Sequence, residues 1–558
     1  MPTLVPALGR DSGPRILRLA ARAAGGLVVG TILVLVLGPI LSVLWLALTA
    51  EQNIWPHLIA TVLPRYLLRS LQLMAGVGVL SALTGTVVAW LVVMYRFPGR
   101  GWIEHALLFP LAVPAYVGAY ALVDFLDYAG PLQVGLRALT GWRDARDYWF
   151  PQIRTLWPAI LTLSAALYPY VYLMARNAFR EQSGAVYEVG RALGCGPWAM
   201  FWRVGLPLAR PAVAAGVALV LMETAADYGT VAHFGVQTLT TGIFSTWLGA
   251  NNAGGAAQIA GVVMALVLAL VLVERLSRRN ARFFRPARAV RPVLAQPLRG
   301  ARGWLAAAIC LLPVLVGFVL PVAVMALHAL RKPGVWTAPG LSRAVTNTLW
   351  VGGIAALTTV MAAVLLVYLL RSVVPARAPL ILPLTAMGYA APGAVLAVGL
   401  LVPLAAFDHR LADMILAMSG RDPGLLLTGS SAAVILACFV RFFAVAQNAT
   451  DAAMGRVSPS LPMAARSLGR GPMGVLRAVF LPLMRGSVVT ALLLVFVDCV
   501  KELPATLLLR PFNFDTLATR TFELASLEKL GEAAPAALIV MAVGLGAVGL
   551  LARANRGA

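Results

Sequence analysis

The sequence has little charge and few of the residues that build disulfide or metal sites. Only 12% of its 558 residues are charged and 60% are hydrophobic, whereas a soluble domain has about 25% charged residues. There is too little polar surface to enclose several water-soluble domains, so most of the chain must lie in lipid. The four cysteines are far apart without a CxxC pair, and the five histidines lack metal-ligand spacing. No disulfide framework and no metal site is predicted.

Motifs for nucleotide binding and hydrolysis are also absent from the sequence. It contains no GxxxxGK[ST] phosphate loop, so the chain does not hold a nucleotide by itself, and it has no HExxH or GxSxG motif. We therefore predict that the chain is not an enzyme and binds no cofactor. The energy for any work must come from another subunit or from an ion gradient.

Twelve apolar stretches are long enough to cross a bilayer. A helix needs about 20 apolar residues to cross about 30 Å of hydrocarbon, and the mean hydropathy of the chain is +0.84. These features predict an all-α integral membrane protein. The predicted spans are 26–50, 67–95, 104–126, 156–178, 209–232, 255–275, 304–328, 345–370, 378–404, 429–450, 485–508 and 533–552.

The basic residues are distributed unevenly between the loops. Nine arginines lie between Arg275 and Arg302, whereas residues 228 to 254 contain no Lys, Arg, Asp or Glu. Because cytoplasmic loops carry the excess of basic residues, this pattern predicts a multi-pass membrane protein with both termini in the cytoplasm. It also accounts for 45 basic against 22 acidic residues without a nucleic-acid partner.

One cytoplasmic segment is repeated. EVGRALGCGPWAMFWRVGLPLAR, residues 188–210, aligns without gaps with MAARSLGRGPMGVLRAVFLPLMR, residues 463–485. Six spans separate the copies, so both face the same side, and we predict two tandem, parallel six-helix repeats. The predicted domains are a first repeat at 1–274, a basic cytoplasmic linker at 275–303 and a second repeat at 304–558.

Each copy predicts a short helix, a glycine-containing turn and a Leu-Pro stop. Proline suits the first turn of a helix, and glycine permits a turn with positive φ or a close approach by another surface. A doubled loop on one side indicates a docking surface for a two-fold partner; the alternative is a pair of ordinary interhelical loops. The candidate residues are Glu188, Arg191, Gly194, Leu206, Pro207, Arg466, Gly469, Leu481 and Pro482.

The spacing from glycine to Leu-Pro resembles the cytoplasmic loop of binding-protein-dependent ABC importer permeases, whose pattern is E-A-A-x3-G-x9-I-x-L-P. The first copy keeps Glu188, whereas the second has Met463 in place of the acid. In that family the loop forms a coupling helix seated on an ATPase. The resemblance implies a type I importer permease fold, two copies of an ATPase subunit that use ATP and Mg, and a substrate-binding protein.

Three further segments, 112–130, 223–235 and 498–525, resemble fused iron(III) importer permeases. This resemblance implies that the chain moves ferric iron, delivered by a periplasmic or extracellular binding protein, across the inner membrane. Similar segments occur in relatives for other small substrates, namely phosphonate and other anions, or thiamine, and these are alternative cargoes. A proton-coupled secondary transporter with twelve spans is a further alternative.

Acidic residues recur late in the fifth and eleventh predicted spans. When the two halves are aligned on the repeated loop, Glu223 and Asp227 correspond to Asp498 and Glu502. A spacing of four puts each pair on one helix face, and charged groups at membrane depth usually face a bundle interior or a wet cavity. We predict that these four residues, with Tyr228 and Lys501, line the translocation pathway or its gate. Structural pairing, for example of Lys501 with Asp498, is the alternative.

Overall fold

The computed structural model describes residues 15–49, 54–279 and 295–554. In these ranges eleven helices are long and apolar enough to cross a membrane, and a helix pair bent by 95° brings the number to twelve. Only one strand pair is present there, the parallel strands Tyr95–Arg96 and Gln296–Pro297. The prediction of an all-helical membrane fold with about twelve spans is confirmed.

We number the spans in chain order. Their bounds are Arg15–Thr49 (span 1), Leu63–Met94 (span 2), Arg100–Ala112 with Ala115–Thr140 (span 3), Leu156–Glu181 (span 4), Leu206–Ala226 (span 5), Ala253–Arg279 (span 6), Ala301–Arg331 (span 7), Leu341–Ser372 (span 8), Ala378–Thr385 with Gly393–Ser419 (span 9), Ala432–Gly455 (span 10), Leu481–Lys501 (span 11) and Leu530–Ala554 (span 12).

Short helical segments connect or interrupt the spans. The α-helical ones are Trp55–Ala60, Gly184–Ala192, Pro197–Met200, Gly229–His233, Leu239–Phe244, Ser460–Ser467, Pro472–Val475, Pro504–Leu509 and Leu517–Ser526. The π-helical turns are Phe201–Gly205, Ser245–Gly249, Leu315–Val319 and Leu476–Phe480, and the 3-10 turns are Phe109–Ala112, Pro333–Thr337, Pro375–Arg377 and Ala386–Ala390.

Four predicted spans are interrupted in the structure. The third, 104–126, is bent by 95° at the break between Ala112 and Ala115. Spans 5 and 11 end at Ala226 and Lys501 instead of continuing to 232 and 508. The ninth predicted span, 378–404, breaks before Pro392, because proline has no N–H to donate and disfavours helical geometry at the preceding residue. Its second part then extends to Ser419, beyond the predicted end.

The basic linker predicted at 275–303 lies largely outside the described residues. Span 6 continues to Arg279 and span 7 begins at Ala301. The domain boundaries therefore stay a prediction.

Equivalent contacts recur in the two halves of the chain. The Leu239 N–H donates to Ser70 Oγ at 3.0 Å, and in the second half the Leu517 N–H donates to Thr348 Oγ1 at 2.8 Å. The helices that begin at Leu239 and Leu517 also have matching threonine capping boxes. The duplication found in one loop thus extends to the packing of the spans.

The first span of each half packs against the other half. Span 1 lies against spans 6 and 9, and span 7 lies against spans 3 and 12. At the first of these interfaces, a Cβ on Gly399 would overlap the carbonyl oxygen of Pro39. At the second, His328 Nε2 lies 3.0 Å from Asp124 Oδ1. The two halves are therefore interlocked by exchanged helices.

The close approach of spans 1 and 9 predicts that Gly399→Leu destabilises the protein by about 1–3 kcal/mol, because the added side chain must push the helices apart. The matched control is Gly353→Leu, since a Cβ on Gly353 meets nothing within 4 Å. Thermal unfolding of the detergent-solubilised chain measures both. Equal stability of the two variants would contradict this packing.

Candidate functional site

A cavity of about 170 Å³ lies between the two halves. Four interruptions of helices meet around it: the break at Pro114, the end of span 5 at Asp227, the 3-10 turn that contains Tyr389, and the end of span 11 at Glu502. All six residues that the sequence analysis assigned to a pathway line this cavity, namely Glu223, Asp227, Tyr228, Asp498, Lys501 and Glu502. The structure brings them together, and their part in transport stays a prediction.

Asp227 and Glu502 hold the interrupted helices. Asp227 accepts hydrogen bonds from the N–H groups of Thr230 and Val231, each at 3.1 Å. Glu502 accepts the equivalent bonds from Ala505 at 3.1 Å and Thr506 at 2.9 Å. Each carboxylate satisfies backbone donors at the start of the short helix that follows, which explains why spans 5 and 11 end there.

Arg441 is a functional candidate that the sequence analysis missed. It lies on span 10, lines the cavity, and its side chain is only 13% exposed. Its Nη1 donates to Glu502 Oε1 at 2.8 Å, and its Nη2 lies 3.9 Å from Glu223 Oε2. Arg441 thus contacts a carboxylate from each half. The sequence could have identified Arg441, because an arginine within the apolar residues of a membrane span is by itself a candidate functional residue.

The remaining cavity charges are also paired. The Tyr389 hydroxyl donates to Glu223 Oε1 at 3.0 Å. Lys501 Nζ lies 3.5 Å from Asp498 Oδ1 and donates to the Leu111 carbonyl oxygen at 3.2 Å. The contact of Lys501 with Asp498 agrees with the structural alternative for that pair. The carboxylates of Glu223 and Asp498 keep access to the cavity, with side chains 24% and 33% exposed.

The cavity lining is rich in hard oxygen donors and has more acids than bases. Four carboxylates face two cations, Arg441 and Lys501, both of which come from the second half. Four tyrosines complete the polar lining, namely Tyr116, Tyr170, Tyr228 and Tyr389. Among the described residues no group of three His, Cys, Asp or Glu side chains is arranged to hold a metal ion.

Arg510 and Arg520 follow span 11 and carry the positive charge that an anionic cargo would require. Arg510 forms ion pairs with Asp515 and Glu523. Arg520 donates from Nη2 to the carbonyl oxygen of Pro339 at 2.9 Å. Both guanidinium groups are therefore engaged within the chain.

The two repeated loops adopt the same conformation. Gly194 and Gly469 have φ values of +80° and +78°, and they follow the helices Gly184–Ala192 and Ser460–Ser467. A Cβ at either glycine would meet nothing within 4 Å. Positive φ explains the glycines, because other residues strain there. The open space beside them is available to a partner.

The remaining candidate loop residues lie at matching positions. Glu188, Arg191 and Arg466 are exposed on the loops. Leu206 and Leu481 begin spans 5 and 11, and Pro207 and Pro482 lie in their first turns, as proline requires.

Both loops present apolar side chains outward at equivalent positions. Leu193 is 78% exposed and its counterpart Leu468 is 84% exposed. Two further exposed pairs recur at aligned positions, Val186 with Leu461 and Trp198 with Met473. Because isolated apolar side chains are common on surfaces but a repeated set is not, these positions indicate two equivalent docking surfaces.

Aromatic residues seat each loop on the spans below it. The ring centroid of Trp90 on span 2 lies 5.2 Å from that of Phe201, and the centroid of Tyr368 on span 8 lies 5.6 Å from that of Phe480. The Tyr368 hydroxyl also donates to the Pro472 carbonyl oxygen at 2.6 Å. A displacement of either loop would therefore be passed to spans 2 and 8, which pack against the cavity-lining spans 4 and 10.

Known proteins resemble this chain over most of its length. Residues 81–283 match the family described as binding-protein-dependent transport system inner membrane component. The chain is 25% identical over 464 residues to the Fe(3+)-transport system permease protein FbpB 2 of Haemophilus influenzae, which covers 82% of this chain and 83% of that protein. These similarities confirm the predicted resemblance.

Shorter relatives match about a third of the chain. The molybdenum transport system permease protein ModB of Escherichia coli strain K12 is 24% identical over 208 residues, which are 35% of this chain and 87% of that protein. The probable sulfate transport system permease protein cysT of Marchantia polymorpha is 22% identical over 197 residues, covering 34% of this chain and 65% of that protein.

Asp227 and Glu502 have different partners, so we predict that their substitution lowers the stability of the protein by different amounts. Glu502→Gln should destabilise the protein by about 3–5 kcal/mol, because it removes the nearest counter-ion of buried Arg441. Asp227→Asn should cost only about 1 kcal/mol, because asparagine can still accept a backbone hydrogen bond and Asp227 has no ion pair among the described residues. Unfolding in detergent measures the difference, and a larger loss for Asp227→Asn would contradict it.

Proposed function

We propose, on the premise that the chain is a permease component of a binding-protein-dependent ABC transporter, that its cargo is ferric iron. The observation that carries the proposal is the charge of the cavity, where four carboxylates outnumber two cations. Acidic linings favour cations, whereas arginine and lysine linings favour anions and phosphate. The relative that matches 82% of the chain is an Fe(3+) permease by name, which agrees with that charge.

An oxyanion such as molybdate or sulfate is the second candidate cargo, since shorter relatives carry those names. The geometry disfavours it. Within the described cavity lining, Arg441 is paired with Glu502 and Lys501 with Asp498, so neither cation is free to neutralise an incoming anion. The same reasoning applies to phosphonate and to other small anions.

The repeated loops account for the source of energy. Members of this family are permease subunits and not enzymes themselves, so ATP and Mg belong to a partner ATPase. Each loop presents exposed apolar side chains at equivalent positions, so each loop could bind one of two copies of the same ATPase subunit. Closure of the ATPase pair would move the loops and, through Trp90 and Tyr368, spans 2 and 8, which pack against the cavity-lining spans 4 and 10.

The transporter would sit in the inner membrane with both termini and both loops in the cytoplasm. A substrate-binding protein would then deliver the ion on the opposite side. A proton-coupled transporter explains the cavity acids equally well but assigns no role to two matched, exposed loops.

The cargo is tested in proteoliposomes that contain the chain, its ATPase and its binding protein. We expect ATP-dependent uptake of radioactive ferric iron and no uptake of labelled molybdate or sulfate. Uptake of an oxyanion alone would overturn the cargo. Uptake driven by a proton gradient in vesicles that lack the ATPase would overturn the assignment of the energy source.

The coupling role is tested with the double variant Leu193→Asp and Leu468→Asp. We expect ATPase association to weaken by about tenfold or more, because a buried apolar contact is replaced by a desolvated charge. The control is Leu139→Asp, which changes an equally exposed leucine outside the loops. Pull-down of the ATPase measures the effect. Unchanged association of a correctly inserted double variant would refute docking on the loops.

A further inference from the structure

We propose that Arg441 is the internal counter-ion that closes the cavity between the halves, and that its contact with Glu223 breaks when a cationic cargo enters. Closure itself requires only a permease; the entry of a cation rests on the proposed function. In the resting state the guanidinium neutralises a carboxylate that the cargo would otherwise meet. The cargo then takes the place of Arg441 at Glu223.

The position of Arg441 requires counter-ions. A charged side chain inside a membrane span is costly unless it pairs or faces water, and Arg441 is only 13% exposed. Because Gly393 has no side chain, the ion pair of Arg441 with Glu502 can lie against its backbone. A Cβ on Gly393 would lie 2.5 Å from both Arg441 Nη1 and Glu502 Oε1. The backbone at the start of the second part of span 9 therefore packs directly against this ion pair.

The two contacts of Arg441 differ in length and in where they lie. The 2.8 Å bond to Glu502 stays within the second half, and Glu502 is fixed further by the N–H groups of Ala505 and Thr506. The 3.9 Å contact to Glu223 joins the second half to the first. Separation of the halves would therefore break the contact to Glu223 while Arg441 stays anchored on Glu502.

Glu223 is held from across the cavity by a second group of the second half. Tyr389 on span 9 donates its hydroxyl to Glu223 Oε1 at 3.0 Å. Among the cavity-lining residues the first half contributes no cation of its own. Glu223 therefore depends on the second half for charge neutralisation, and its side chain, 24% exposed, remains reachable by an ion in the cavity.

The test uses the complete transporter, with its ATPase, in proteoliposomes. Arg441→Met removes the charge, and Arg441→Lys keeps it. The first readout is ATP hydrolysis without the binding protein. The second is labelling of Leu167→Cys, a cavity-lining position, by a membrane-impermeant thiol reagent. The same chain without Leu167→Cys corrects for its native cysteines.

We expect Arg441→Met to raise hydrolysis without the binding protein and cavity labelling by about fivefold or more, the lower range of coupling between sites. Arg441→Lys should stay near the parent rate. Tyr389→Phe should give a smaller increase, because it removes one of the two contacts across the cavity. Tyr120→Phe is the matched control, since Tyr120 lies outside the cavity lining and its substitution leaves both Glu223 contacts in place.

The proposal would be overturned if a folded Arg441→Met variant hydrolysed ATP and was labelled at the rates of the unaltered transporter. It would also be overturned if Arg441→Met and Arg441→Lys raised hydrolysis and labelling equally. If Arg441→Met does not fold, Glu223→Gln replaces it, because it weakens the same contact and leaves the Arg441–Glu502 pair intact. If Glu223→Gln and Tyr389→Phe then show the hydrolysis and labelling of the unaltered transporter, the proposal that these contacts close the cavity is wrong. Neither readout needs iron, so a failure of the cargo assignment is seen separately in the uptake assay.

Discussion

Two carboxylates that stop membrane helices are the constraint on which the site depends. A helix that ends inside the protein leaves N–H donors at the start of the next segment, and these are costly unless satisfied. Asp227 and Glu502 satisfy them with their side chains. The breaks can therefore exist at depth, and a polar cavity forms where they meet. Capping and cavity lining are two effects of the same residues.

Much of this arrangement was predictable because the chain repeats itself. Aligning the second half on the first identifies the loops and the two acid pairs. Arg441 could also have been found, since an arginine within a span is rare enough to mark a site. Local sequence carries these signals because a break, a cap and a buried charge each require particular residue types.

The remaining features arise from packing between spans. Tyr389 and Gly393 matter because span 9 lies against Glu223 and against the Arg441–Glu502 pair, which no local pattern reports. The exchange of spans 1 and 7 between the halves was equally hidden. In lipid every face of a span is apolar, so hydrophobic periodicity does not tell which neighbour a helix meets.

The repeated loops of the two halves are alike, whereas the residues that each half contributes to the cavity lining differ. If the proposed pair of ATPase subunits docks on the loops, a partner that presents the same surface twice requires the loops to match. A single path between the halves has no such requirement, because one cation can serve carboxylates from both sides. Arg441 does so from the second half alone. Under the two proposals, ATPase subunits that act equally on both loops would separate the halves at one contact, that of Arg441 with Glu223.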